Sequence, residues 1–306
     1  MKKIAKIFLS FVAIIFMMPN IYALEDESTI ETSKELLVDN ILLIGKDGGN
    51  IKVPVRSDAM IILTIDNLNK SLKLTSLARD TLVNIPNKGY EKLNHAYAYG
   101  EEKLLLQTIN ENFKLDIKDY AVVDFRSFIE TIDILGGVEV DVNEKEVKHL
   151  NQTIKACYGF KEENKGNIKY ISSTGMQNLN GYQSLAYARI RKMDTIYNRD
   201  ERQRKILTSV ANKLSNTSIT NYPAIVKNIL RHVDVNISLD KLMRLSISAH
   251  ELASYDIQQL QFPLAKYREE GLLGADGKYV VKWKEDENLE ALHEFIYNKN
   301  SKQIKD

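Results

Sequence analysis

Cysteine is almost absent. Cys157 is the only one in 306 residues, which excludes an intrachain disulfide and any cysteine-based zinc site. The five histidines (95, 149, 232, 250 and 293) are scattered without metal-ligand spacing, so a zinc enzyme is not expected. Net charge is lacking too. With 42 Lys+Arg against 41 Asp+Glu the balance is +1, and bulk electrostatics gives no support to nucleic-acid binding. An anion site must then be a local cluster of Arg and Lys. No internal repeat, low-complexity tract or Pro- or Gly-rich linker divides the chain.

The N-terminus carries a targeting pattern. Lys2, Lys3 and Lys6 precede the uncharged run IFLSFVAIIFMM (Ile7–Met18), followed by Pro19-Asn20 and Ile21-Tyr22-Ala23. This order fits a signal peptide cleaved after Ala23. The alternative is an anchor from about Ile4 to Leu24, close to the roughly 20 residues that span a bilayer. Both readings put the protein on the outer side of the cytoplasmic membrane, with the lysines inside. Residues 1–24 are read as this segment, 25–40 as a polar spacer and 41–306 as the globular unit.

That unit has an ordinary composition, 44% hydrophobic and 27% charged over the whole chain. Apolar runs at about 41–45, 59–66 and 72–77 read as strands, YAVVDF (Tyr120–Phe125) and VEVDV (Val138–Val142) as two more. Helical spacing appears at 101–113, 126–135, 182–188 and 200–214, and further helices are expected at about 221–232 and 239–253. Residues 144–174, polar and lacking a clear period, are expected to form an excursion loop. A strand pair at 260–263 and 279–283 and a helix at 288–297 complete the chain. Strands and helices joined by short links predict an α/β fold, a single α/β/α layered domain with a central mixed sheet.

Charged groups gather where the strands end. Asp47 and Asp58 lie near Arg56 and Arg79 in sequence, a set suited to a divalent metal beside a phosphate; the plainer reading is that each Asp caps a turn. Arg189 and Arg191 are two apart in a run read as extended, hence on one face. Arg199, Arg202 and Gln203 fall in the first turn of the next helix. Planar guanidinium forks grip phosphate bidentately, so these arginines together with Arg79 suit a diphosphate; the competing reading is a solvated helix face paired with Asp200 and Glu201. Lys92 and Asn94 are weaker candidates, and His95 and Tyr97 read as packing residues. Asp58 reads as a solvent-facing carboxylate.

Six blocks in order carry a resemblance: RSDAM, LARDT, KLNHAYAYG, DILGGVEVDV, LNGYQSLAYARIR and RDERQ. Their succession, spanning about Ile41 to Ala211, resembles the LytR-CpsA-Psr family of cell-envelope proteins. The resemblance implies an extracytoplasmic transferase that moves a glycopolymer from a polyprenyl diphosphate carrier onto peptidoglycan or another acceptor. It implies that Asp47 and Asp58 hold Mg²⁺, and that Arg79, Arg189, Arg191, Arg199, Arg202 and Gln203 contact the diphosphate or organise the site. Three places depart from the family's pattern: Ala59 stands where Thr is usual, Glu101 where a second Gly is common, and Ile196-Tyr197-Asn198 where an acidic-aromatic-Gly approach is usual.

The implied chemistry is phosphoryl transfer. An acceptor sugar hydroxyl attacks phosphorus and polyprenyl phosphate leaves, with Arg79 stabilising the developing charge and Asp58 or Asp80 available to accept the proton. Helices 101–113 and 126–135 are expected to wall a slot for the lipid tail. Two rival readings use the same residues, a lipid diphosphate hydrolase and a non-catalytic glycolipid-binding protein. Protease added to protoplasts is expected to digest the domain; full protection would overturn the topology.

Overall fold

The structure is a computed structural model, and it describes residues 38–47, 55–160, 167–190, 196–215, 233–238, 255–273 and 277–297, with scattered positions between 240 and 252. The targeting segment, Arg191 and the helix expected at 221–232 lie outside the described residues, as does most of the one at 239–253.

Six strands form a mixed sheet in the order β10-β3-β2-β1-β6-β9. They are β1 (Val38–Lys46), β2 (Ser57–Asp66), β3 (Ser71–Leu77), β6 (Asp119–Val123), β9 (Asp234–Val235) and β10 (Asp256–Phe262). Alternation along the strands sends side chains to opposite faces. Ile41, Ile61, Leu63, Ile65 and Ala121 enter one core; Leu42, Ile44, Met60, Ile62 and Val122 enter the other. Burial on both faces explains the near-continuous apolar runs of β1 and β2 and establishes the three-layer architecture.

Helix α1 (Leu93–Phe113) covers the second face, and α2 (Phe125–Ile134), α4 (Gly181–Ala188) and α5 (Ile196–Ser215) cover the first. Gly181 permits the approach of α4 to α2: a Cβ there would lie 2.3 Å from the Ile129 carbonyl oxygen. Two sequence expectations change, and one expected strand joins a smaller ribbon. Residues Glu144–Tyr158 form helix α3 rather than a loop, opened by a capping box between Asn143 and Glu146 and burying Leu150, Ile154 and Cys157. Val138–Val142 (β7) pairs with Gly175–Leu179 (β8) in a ribbon outside the main sheet. The two C-terminal strands do not pair with each other: β10 runs parallel to β3, while Lys278–Trp283 (β12) pairs with Arg268–Leu273 (β11). Two small hairpin strands, β4 (Leu82–Ile85) and β5 (Gly89–Lys92), and a last helix, α6 (Glu285–Tyr297), complete the described elements.

Strand direction places the chemistry. β1 is parallel to β6 and antiparallel to β2, and β3 is antiparallel to β2 and parallel to β10. The C-terminal ends of β1, β3, β6 and β10 and the start of β2 therefore share one edge, where open α/β sheets bind ligands. Asp47, Asp58, Arg79 and Asp124 all follow from that arrangement.

At the far end of the sheet Lys73 is fully buried and its ammonium lies 2.7 Å from the Asp66 carboxylate. It also donates to the Ile296 carbonyl at 3.0 Å, tying α6 to the sheet. Burial alone would raise the Asp66 carboxyl, but the hydrogen bonds from Asn69 and the pairing with Lys73 outweigh it and lower its pKa. That stabilisation is present above about pH 4 and is lost as pH falls through the lowered value. Lys73→Met is expected to cost about 3–5 kcal/mol by leaving Asp66 without its cation. Urea denaturation at neutral pH checks this, and a loss below about 1 kcal/mol would show the pair to be dispensable.

Candidate active site

A row of alternating charges crosses the strand ends. The Lys92 ammonium lies 2.8 Å from Asp80 Oδ1, and Asp80 Oδ2 accepts from Arg79 Nε at 3.3 Å. Arg79 Nη1 lies 2.6 Å from Asp58 Oδ1, and Arg199 Nη2 is 3.5 Å from the same oxygen. Arg199 also donates to the Asp58 carbonyl at 2.7 Å. Burial would depress the Arg79 guanidinium, but Asp58 and Asp80 reverse the effect and raise its pKa, so it stays charged. The Asp58 side chain is only 12% exposed. It is not the solvent-facing carboxylate that its sequence position suggested.

Behind this row lies a second layer. Arg204 donates to Ser76 Oγ at 2.9 Å and to Gln261 Oε1 at 3.2 Å, and Gln261 donates to Asp200 at 2.9 Å. Burial pushes the Asp200 carboxyl up to about 6 against the opposing pull of Arg199, Gln261, Arg204 and Arg79. Gln261 sits on β10 and gave no signal in the sequence. Arg204 and Asp200 were hidden within a charged helix in which Glu201 and Lys205 face solvent.

Beside the row, an apolar slot opens between the first face of the sheet and helices α2, α4 and α5. Leu43, Ile61, Val123, Phe128, Leu185, Ile206 and Val210 line it, with Asp58, Asp124, Arg189, Arg199 and Gln203 around it. Its empty volume is about 1050 Å³, open mouth included. Of the two helices expected to wall it, the one at Phe125–Ile134 does so. The segment 101–113 instead packs on the opposite face of the sheet, because an amphipathic period does not say which side of a sheet a helix will cover.

The remaining candidates divide. Arg189 ends α4 rather than lying in an extended run, with its guanidinium 4.2 Å from the Phe125 ring centroid and 5.2 Å from that of Phe160. Stacked there, it lines the slot, with Nη1 3.7 Å from the Cys157 sulfur. Arg202 is turned away from the mouth: it is 2% exposed, donates to the Ile190 carbonyl at 2.9 Å and pairs with Glu146 at 3.6 Å. Three residues along a helix leave a net offset of only about 60° from Arg199, and it is the Glu146 carboxylate and the Ile190 carbonyl that turn the Arg202 side chain toward α3. Arg56 is exposed, and its backbone pairs with Asp47: Arg56 N donates to Asp47 Oδ1 at 3.2 Å, and Asp47 N to the Arg56 carbonyl at 3.0 Å. Asp124 was missed by sequence reasoning. It caps α2 through Ser127 N at 2.8 Å and borders both the slot and a second cavity described below.

Asp47 and Asp58 offer hard carboxylate oxygens. Among the described residues no group of three or more His, Cys, Asp or Glu is placed to hold a metal ion. Carboxylate oxygens are the donors Mg²⁺ takes, usually one or two of them with phosphate oxygens and water completing its shell.

The sequence model of the LytR_cpsA_psr family matches residues 21–294, and the chain belongs to that family. It is 32% identical over 233 residues to the polyisoprenyl-teichoic acid–peptidoglycan teichoic acid transferase TagT of Bacillus subtilis (strain 168), covering 72% of this chain and 69% of the relative. Similarity to TagU of Enterococcus faecalis (strain ATCC 700802 / V583), which bears the same transferase description, is also 32%, over 72% of this chain and 70% of that protein. A solved structure of TagT bound to LIIa-WTA superposes with a TM-score of 0.66 at 25% identity, covering 86% of this chain and 90% of that one.

The raised Asp200 carboxyl gives a pH signature. Its folded-state value of about 6 exceeds the ordinary 3.8, so the folded protein binds this proton more tightly than the unfolded chain does. The resulting stabilisation is complete below about pH 4 and is lost as pH rises through about 6. Asp200→Asn is expected to remove up to about 3 kcal/mol of that pH dependence. Urea midpoints of both proteins across the interval check this; identical slopes would refute the assignment.

Proposed function

We propose that this protein is an extracytoplasmic transferase that moves a glycopolymer from a polyprenyl diphosphate carrier onto peptidoglycan. One observation carries the reading: Arg189 and Arg199 line an apolar slot, with Arg79 held beside it by Asp58. A lipid diphosphate has that same division, an anionic head on an apolar chain. The two relatives described as teichoic acid–peptidoglycan transferases support the reaction class, and their action on the wall supports a site outside the cytoplasm. Among the described residues no helix is long and apolar enough to cross a membrane; anchoring or secretion falls to residues 1–24.

The residues divide the work. The acceptor hydroxyl loses its proton to water, its oxygen bonds to the phosphorus bearing the glycopolymer, and the bond to polyprenyl phosphate breaks with its electron pair leaving on that product. Arg79 and Arg199 are fixed before substrate arrives by their shared partner Asp58, so they stabilise the developing charge without reorganising. Both Asp80 oxygens are taken, by Arg79 and Lys92, which suits Asp80 to positioning Arg79 rather than to taking the hydroxyl proton. Gln203 and Arg189 flank the head, and Arg202 supports the site from behind through Glu146. Asp47 and Asp58 would hold Mg²⁺, which when bound supplies charge neutralisation on the diphosphate.

Arg79→Ala is expected to lower kcat on the order of 10²–10³-fold, the usual cost of losing one preorganised charge-stabilising group. The assay uses a polyprenyl diphosphate-linked saccharide and peptidoglycan, with product on the glycan as readout. Release of polyprenyl phosphate that does not require peptidoglycan would convert the reading to hydrolase. Lipid binding without turnover would convert it to a binding protein.

A further inference from the structure

A second cavity adjoins the slot on the opposite face of the sheet. Lys46, Asp47, Val55, Tyr97, Glu101 and Asp124 are among its lining residues, and it encloses about 620 Å³, open mouth included. Lys46 and Asp124 border both spaces. The slot lies against the core that contains Ile61 and Ala121; Tyr97 belongs to the core on the other face.

Two observations point to a ligand there. Tyr97 is 4% exposed and lines the cavity, and its hydroxyl has no hydrogen-bond partner among the described residues and is left open to that space. Burial, reinforced by the carboxylates of Glu102, Glu101 and Asp234, raises its pKa, so the hydroxyl keeps its proton and remains a donor. Glu101, moreover, sits at φ 53°, ψ −148° in the break of α1, a backbone region almost confined to glycine. Strain of this kind persists at functional sites, where the surroundings hold it in place. A glycine would fit this position without strain, and the chain has a carboxylate there instead.

We propose that this cavity is the saccharide subsite for the acceptor glycan, with the Tyr97 hydroxyl and the Glu101 carboxylate as its hydrogen-bonding groups. The inference rests on the transferase reading. Charge sorts the two substrates. The Tyr97 hydroxyl and the Glu101 carboxylate suit neutral sugar hydroxyls, while Arg189 and Arg199 at the slot attract the anionic donor. Position agrees with the chemistry. In-line displacement puts the attacking oxygen opposite the leaving one. The slot holds the departing polyprenyl phosphate on one face, and the cavity delivers the hydroxyl from the other.

Two variants test it. Tyr97→Phe keeps the packed ring and removes only the hydroxyl; Glu101→Gly removes the carboxylate and relieves the backbone. Each is expected to raise KM for a soluble peptidoglycan tetrasaccharide about five- to tenfold, the value of one neutral to weakly charge-assisted hydrogen bond. KM for the lipid-linked donor should hold, and Glu101→Gly should raise the unfolding temperature. A raised donor KM with an unchanged acceptor KM would assign the cavity to the donor's sugar and overturn the proposal, as would no change in either. Calorimetric titration of the tetrasaccharide without donor separates the two readings. Weakened binding in both variants, in a protein that transfers nothing, keeps the cavity and removes the transferase. Transfer by a wild type that binds the tetrasaccharide no better than its variants keeps the transferase and removes the cavity.

Discussion

Everything at the strand ends depends on the need of buried charges for partners. Asp58 stands between Arg79 and Arg199, and Asp80 between Arg79 and Lys92. Removing any member leaves an uncompensated charge in a poorly solvated place, which costs far more than an exposed ion pair ever contributes. The row thus ties together the start of β2, the end of β3, the last residue of β5 and the first turn of α5. Sequence segments as far apart as 58 and 199 are held in register by this pairing, and the guanidiniums that grip an anion are the same ones that fasten the fold.

The sheet then acts as a partition. Its first face carries the apolar slot, its second the cavity beneath α1, and the charged row runs along the edge where the two meet. A two-faced sheet is the least demanding way to bring an apolar and a hydrophilic substrate to one phosphorus without mixing their surroundings. The second layer of Arg204, Gln261 and Asp200 lies behind the edge and brings β10, from the C-terminal part of the chain, into its support.

Much of this was legible in the sequence, and the failures have causes. The strands of the central sheet announced themselves because burial on both faces demands long apolar runs. Asp58, Arg79 and Arg199, each singled out from the sequence, come together in one row. Helix α3 was overlooked because only Leu150, Ile154 and Cys157 mark its buried stripe, although the Asn143 and Glu146 pair was a readable start signal. Arg202 was misplaced because its partner, Glu146, lies 56 residues earlier in a segment read as a loop. The slot's walls were half wrong because periodicity reports a helix's apolar stripe and is silent about the layer it joins. Tyr97 was read as packing, and its ring does pack; what the sequence could not show is a hydroxyl left facing a cavity.

The apolar slot has a consequence for the tempo of the reaction. On the transferase reading, a carrier's hydrocarbon seated against Leu43, Phe128 and Val210 would be the same before and after transfer, so those walls would hold the spent carrier as firmly as the loaded one. Loaded and spent carriers differ only in what the arginines see, a substituted diphosphate at the outset and a single phosphate at the end. Departure is therefore governed by the head and not by the tail. A longer or more apolar wall would hold both carriers more tightly and leave the difference between them unchanged.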